Sequence, residues 1–181
     1  QVHNGANFTG DHGRLSIDHA ANGDIYVGVM KWSSAPQDTF WVFRSTNGGV
    51  SWQQWAFSNN TSGDDTIVDA KLLVGAGANP WVYMFVHYST SGGGLYCRKM
   101  RADGTGNAWQ YILRGDSVRG FDVDRNIEGS PALFLAYRQL TSAGHDWVRL
   151  YASTNDGATW ANGRSVHHGL GSPLSVCAGG D

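Results

Sequence analysis

Long apolar runs are missing from this sequence: none approaches the roughly 18 residues that a membrane-spanning helix needs, so no membrane span is read. Charge is scarce as well. Thirteen Lys and Arg stand against 15 Asp and Glu, a net charge of -2. That is not the basic footprint of a nucleic-acid binder, nor a basic run seeking an anionic membrane surface. Proline falls to 4 and cysteine to 2. Two cysteines make no disulfide scaffold, and Cys97 and Cys177 read either as two buried thiols or as one disulfide of an oxidising compartment. Helical periodicity is also missing, for no segment keeps a capped 3.6-residue pattern over ten or more positions.

What is present is glycine, at 25 residues, and tryptophan, at 8, in a chain of 181. Glycine and aromatics with little Lys or Glu suit short strands joined by tight turns. The turns repeat. Ser45-Thr46-Asn47-Gly48-Gly49-Val50-Ser51-Trp52 matches Ser153-Thr154-Asn155-Asp156-Gly157-Ala158-Thr159-Trp160. Between them lies a looser copy with one residue inserted, Arg101-Ala102-Asp103-Gly104-Thr105-Gly106-Asn107-Ala108-Trp109. The terminal tryptophans at 52, 109 and 160 are 57 and 51 apart, a step slightly above the ~40–50 residues of a propeller repeat.

The flanks repeat with the turns. An alternating strand precedes each one, over 39–44, 94–99 and 146–151. A more apolar strand comes before that, over 24–30, 81–86 and 132–137, and a first strand earlier still, around 15–18, 71–74 and 120–124. Each motif tryptophan is read as opening a fourth strand. The reading is all-β: a β-propeller with four-stranded antiparallel blades at about 14–60, 68–115 and 118–168. Leu174-Ser175-Val176-Cys177 resembles Leu15-Ser16-Ile17-Asp18, so 172–181 reads as the first strand of a further blade. The expectation is therefore a piece of one propeller domain. Its partners would be the remaining blades, from the same precursor or another chain, or a second copy.

The pattern Ser-x-Asn-x-Gly-x-(Ser/Thr)-Trp at 45–52 and 153–160 resembles the Asp box, or BNR repeat. That motif is found in sialidases, xyloglucanase-type glycoside hydrolases, sortilin-type receptor domains and other secreted propellers. Asn47 and Asn155 stand at the usual Asp position, and Asp103 supplies it in the looser copy. The resemblance implies a structural role for Ser45, Asn47, Gly49, Trp52, Asp103, Trp109, Ser153, Asn155, Gly157 and Trp160, on the rim and away from the ligand face. The glycines permit positive φ, the Asn and Asp side chains bond nearby amides, and Trp52 and Trp160 are expected in the core. It also implies a secreted or cell-surface protein.

Sialidases grip a carboxylate with three arginines and use a Tyr–Glu pair and an Asp. This chain has no Arg-Ile-Pro motif; Arg14-Leu15-Ser16 is the nearest. Glu128, the sole glutamate, sits at a turn. Arg14, Arg119 and Arg125 lie near first strands, where they can face a channel, be ion-paired or be solvated. Asp122 and Asp124 share one strand face and can bind a polyol or a cation, or cap the strand. His167-His168 reads as a surface loop, and His12, His19, His87 and His145 lack metal-ligand spacing. No metal or cofactor is implied. The exposed aromatics Trp32, Trp55 and Trp147 are candidates for stacking on sugar rings. The functional expectation is a propeller module that binds glycan or protein. The alternatives are part of an exo-sialidase-like hydrolase and an accessory domain of a larger secreted enzyme.

Overall fold

A computed structural model of the chain describes residues 12–31, 38–59, 66–89, 94–114, 117–126, 132–140, 146–161 and 165–168. Every regular element among them is a strand. Sheet 1 contains β1 (His12–His19), β2 (Ile25–Lys31), β3 (Thr39–Ser45) and β4 (Gln53–Asn59). Sheet 2 contains β5 (Ile67–Val74), β6 (Trp81–Tyr88), β7 (Gly94–Arg101) and β8 (Ala108–Arg114). Sheet 3 contains β9 (Ser117–Asn126), β10 (Ala132–Leu140), β11 (Asp146–Ser153) and β12 (Ser165–His168). Each sheet is an antiparallel meander in sequence order. The stretch 172–181, read as the start of a further blade, lies outside the described residues.

The sheets stack face to face, with sheet 2 in the middle. One apolar layer, including Tyr26, Met30, Phe40, Leu72, Met84 and Val86, fills the space between sheets 1 and 2. A second, including Leu73, Tyr83, Phe85, Phe121, Leu135 and Tyr137, fills the space between sheets 2 and 3. Strand β6 is therefore covered on both sides, and Val82 through Tyr88 are all buried. This is the physical reason for its unbroken apolar run, since a strand with two buried faces has no polar side to show.

The repeat fixes the register. Leu15 opposes Val29 and Ile17 opposes Val27 in sheet 1. Ala70 with Val86 and Leu72 with Met84 hold the same places in sheet 2, as do Phe121 with Tyr137 and Val123 with Leu135 in sheet 3. In sheets 2 and 3 these pairs are buried against the preceding sheet. In sheet 1, Leu15 and Ile17 are 72% and 71% exposed.

The turns at 45–52 and 153–160 are built alike. Asn47 Oδ1 accepts the Ser51 amide at 2.9 Å while its amide group donates to Ser51 Oγ at 2.8 Å. Asn155 makes the same pair of bonds with Thr159, both at 2.9 Å. Ser45 and Ser153 accept the amides of Gly49 and Gly157, each at 2.9 Å. Those glycines sit at φ 89° and 75°, backbone that other residues enter only with strain. Asp156 also takes a positive φ, 56°. Its backbone carbonyl accepts Lys99 Nζ at 2.6 Å and its carboxylate accepts the Tyr83 hydroxyl at 3.3 Å, so sheet 2 holds this turn in place.

Three expectations change. The tryptophans of these turns do not share one fate. Trp160 packs edge-on against Phe85, with ring centroids 6.1 Å apart. Trp52 is half-buried and donates its indole N–H to the Gly49 carbonyl at 3.0 Å. Trp109 is 49% exposed, because the inserted residue carries it into β8, directly opposite Arg98. The fourth strand of sheet 3 does not begin at Trp160: Ala161 makes a single bridge to Ala152, and β12 starts at Ser165. His167 and His168 are not in a loop, since their backbones pair with Val148 and Trp147. Cys97 is a buried free thiol whose pKa is pushed up by burial, while Cys177 lies outside the described residues.

Gly28 interrupts the apolar strand β2 for a steric reason. A Cβ there would lie 2.3 Å from Cζ of the fully buried Phe40 ring. Gly28→Ala should therefore lower stability by about 1–3 kcal/mol, the usual cost of overpacking. Urea unfolding followed by tryptophan fluorescence measures it, and an unchanged midpoint would refute the packing.

Candidate functional site

The first strand of each sheet (β1, β5 and β9) forms one polar wall, and its bonds run between sheets. Leu72 donates its amide to Ser16 Oγ at 3.0 Å, and the hydroxyl reaches back to the Leu72 carbonyl at 3.4 Å. Asp18 Oδ2 accepts the Val74 amide at 2.7 Å. The same carboxylate pairs with Arg125 of sheet 3, Nη1 on Oδ2 and Nη2 on Oδ1, the second at 3.1 Å. Lys71 Nζ meets Asp122 Oδ1 at 2.6 Å. A bidentate guanidinium–carboxylate pair of this kind fixes orientation as well as charge.

The antiparallel meander puts all the short box-like turns at one end of the sheets. The opposite end gathers the connections within 32–37, 60–65, 90–93, 115–116 and 141–145, which lie outside the described residues. Loops at one end of a rigid scaffold are where binding groups concentrate. The side chains beside that end are therefore the candidate site. Asp38 Oδ2 accepts the Ile67 amide at 3.0 Å and so ties the entry of β3 to the first residue of β5. Asp69 and His87 face each other across β5 and β6, and both are buried. His87 Nδ1 is buried without a hydrogen-bond partner. Burial alone lowers the His87 pKa to about 4, which leaves the ring neutral at pH 7. Arg119, the third residue of β9, is exposed. Half-buried Arg138 lies opposite Gly120.

The structure distributes the five ligand-site residues read from the sequence. Arg125 and Asp122 are in the ion pairs above. Asp124 is half-buried and accepts the Arg125 amide at 2.8 Å; opposite Phe134, it occupies the repeat position that Asp18 holds opposite Tyr26. Arg119 stands exposed at the loop-bearing end. Arg14 belongs to β1, at that same end. Glu128 lies outside the described residues. Among the described residues no three His, Cys, Asp or Glu side chains are grouped as metal ligands, and no helix is long and apolar enough to cross a membrane.

Sequence reasoning missed Asp18, Lys71, Asp69 and His87. The repeat aligns Asp18 with Asp124 but with Leu73 in sheet 2, and its partners Val74 and Arg125 come from other repeats. His87 was set aside for want of spacing, and its signal is burial beside Asp69, which only the fold displays.

The sequence matches no protein-family model and no curated protein. The fold does have a solved counterpart. An endo-arabinase from Bacteroides thetaiotaomicron VPI-5482, a glycoside hydrolase of propeller fold, superposes with a TM-score of 0.59 at 12% identity over 90% of this chain. The present chain spans 65% of that protein's length. The likeness establishes fold alone.

The depressed His87 pKa has a sign that experiment can check. The unfolded ring binds its proton near pH 6.5 and the folded ring only near 4. The contribution to stability is whole above pH 6.5 and is lost as the pH falls through that window, by about 2–3 kcal/mol. Comparing urea midpoints at pH 7 and pH 4 for the native chain and His87→Phe should show a smaller acid loss in the variant. Equal losses would rule out a buried neutral imidazole.

Proposed function

We propose that this chain is a β-propeller module that binds glycan at the loop-bearing end of its inner strands. The observation that carries the reading is the polar inner wall, which ends at exposed Arg119 and the buried Asp69–His87 pair. A propeller-fold enzyme named for acting on arabinan supports the ligand class. A pyranose or furanose ring offers hydroxyls, and neutral imidazole, carboxylate and guanidinium groups together supply the donors and acceptors that hydroxyls need. We place the protein outside the cell or on its surface, in keeping with the Asp-box-like turns.

The second reading is a glycoside hydrolase of which this chain carries part of the site. Such enzymes need two carboxyl groups flanking the bond to be cut. Asp18 and Asp122 are engaged by Arg125 and Lys71 in holding sheets together, which favours binding over hydrolysis by this chain alone. Calorimetric titration with arabino- and sialyl-oligosaccharides tests the choice. Binding of one of them, weakened at least tenfold by Arg119→Ala with an unchanged melting temperature, is the expected result. No heat with any of them would sink the glycan reading, and release of reducing sugar would favour the hydrolase.

The exposed Leu15–Ile17 face of sheet 1 has the pattern of the faces that sheets 2 and 3 bury. We propose that another four-stranded blade covers it, from the rest of the same protein or from a second copy. Sedimentation velocity at tens of micromolar should show association of this chain, abolished by Leu15→Lys with Ile17→Lys. A stable monomer would exclude a second copy as the covering blade.

A further inference from the structure

Trp160 packs on Phe85 of the preceding sheet and Trp52 is half-buried against its own turn, but the tryptophan of the middle turn is exposed. Trp109 stands 49% exposed on β8, the outermost strand of sheet 2. It is not loose. Arg98 lies opposite it in the register, and its guanidinium carbon sits 5.4 Å from the indole centroid. Arg98 is itself positioned by a 2.9 Å bond from Nε to Asn107 Oδ1, inside the inserted turn. The turn is in turn anchored by Asn79, whose side chain bonds Asp103 at 2.7 Å and accepts the Asp103 amide at 3.1 Å. An oriented, half-exposed indole braced by a cation is the arrangement in which aromatic rings present a flat apolar surface at low entropic cost.

We propose that Trp109, with Arg98 and Asn107, is a rim platform for an anionic sugar ring, separate from the inner-strand end. The C–H face of a pyranose packs on the indole. The sign of the ligand follows from Arg98, the cation on the same strand face as the indole; Lys99 and Arg101 belong to the other face, over the Trp81 ring. Asp103, bonded to Thr105 and Asn79, and Asp156, whose carboxylate accepts the Tyr83 hydroxyl, are the nearby acids. A guanidinium beside an aromatic platform favours a uronate or sulfated saccharide over a neutral one, through attraction that salt weakens. The proposal takes from the preceding section only that the ligand is a saccharide.

Affinity electrophoresis through gels holding polygalacturonate, heparin or neutral arabinan tests it on the full chain. Retardation by at least one of the two anionic polymers, and not by arabinan, is expected, and the two distinguish carboxylate from sulfate as the ligand's charge. Trp109→Ala should weaken that retardation at least tenfold while leaving the melting temperature unchanged, since the ring lies outside both apolar layers. Trp109→Phe should keep part of it, and Arg98→Gln should reduce it. Arg119→Ala should leave it intact, so failure of the inner-strand site and failure of the platform read out separately. Retardation that survives Trp109→Ala, equal retardation by arabinan, or none in any gel would overturn the platform.

Discussion

The Asp18 carboxylate is the point on which the three-sheet arrangement depends. It belongs to sheet 1, accepts a backbone amide of sheet 2 and receives a two-pronged guanidinium from sheet 3, 107 residues away along the chain. Stacked sheets held by apolar layers alone have freedom to slide, because burial is proportional to area and indifferent to direction. The directional bonds at Asp18, Ser16 and Lys71 remove that freedom at the inner edge, where the strands come closest. Their interior position also makes them costly to break singly, since either partner left alone would be a charge with little solvent.

From that inner edge outward the architecture is a matter of repeated positions used under different circumstances. Sheet 2 has a neighbour on each side and buries both faces. Sheet 1 presents the same residue types at the same register with one face open. The turns follow the same logic. The carbonyl of Ala102 in the middle turn accepts Arg44 Nη1 at 2.7 Å and Trp55 Nε1 at 3.3 Å from sheet 1. The turn at 153–160 is held by Tyr83, Lys99 and Gln110 of sheet 2. Each sheet thus grips the turn of the one that follows, which makes position in the array as important as local sequence.

The strands were legible because their signals are local. Period-two alternation, β-branched and aromatic content, and glycine punctuation placed eleven of the twelve well enough, and the box-like turns set the repeat. The exceptions have physical causes. Strand β12 is four residues with two histidines and no apolar alternation, so nothing in its composition distinguished it from a loop. Trp109 ends the same motif as Trp52 and Trp160, but one inserted residue carries it into the strand, where it stands exposed, a register effect that composition does not carry. The site was less legible still. Asp122 and Arg125 stood out as charged residues on first strands, yet their partners Lys71 and Asp18 come from other repeats, and pairing at that range is a property of the fold. His87 gave no signal until its burial was known.

The division of labour between the two ends of the sheets bears on how such a protein changes over time. At one end the box-like turns are short and clamped, by their own Ser and Asn side chains or by the preceding sheet, so substitutions there disturb the frame. At the other end the strands are joined by connections outside the described residues. Lineages descended from such a chain are free to lengthen, shorten or rewrite those segments while the stack beneath stays the same. New ligand preferences can then arise by local edits, without the protein having to find a new way to fold.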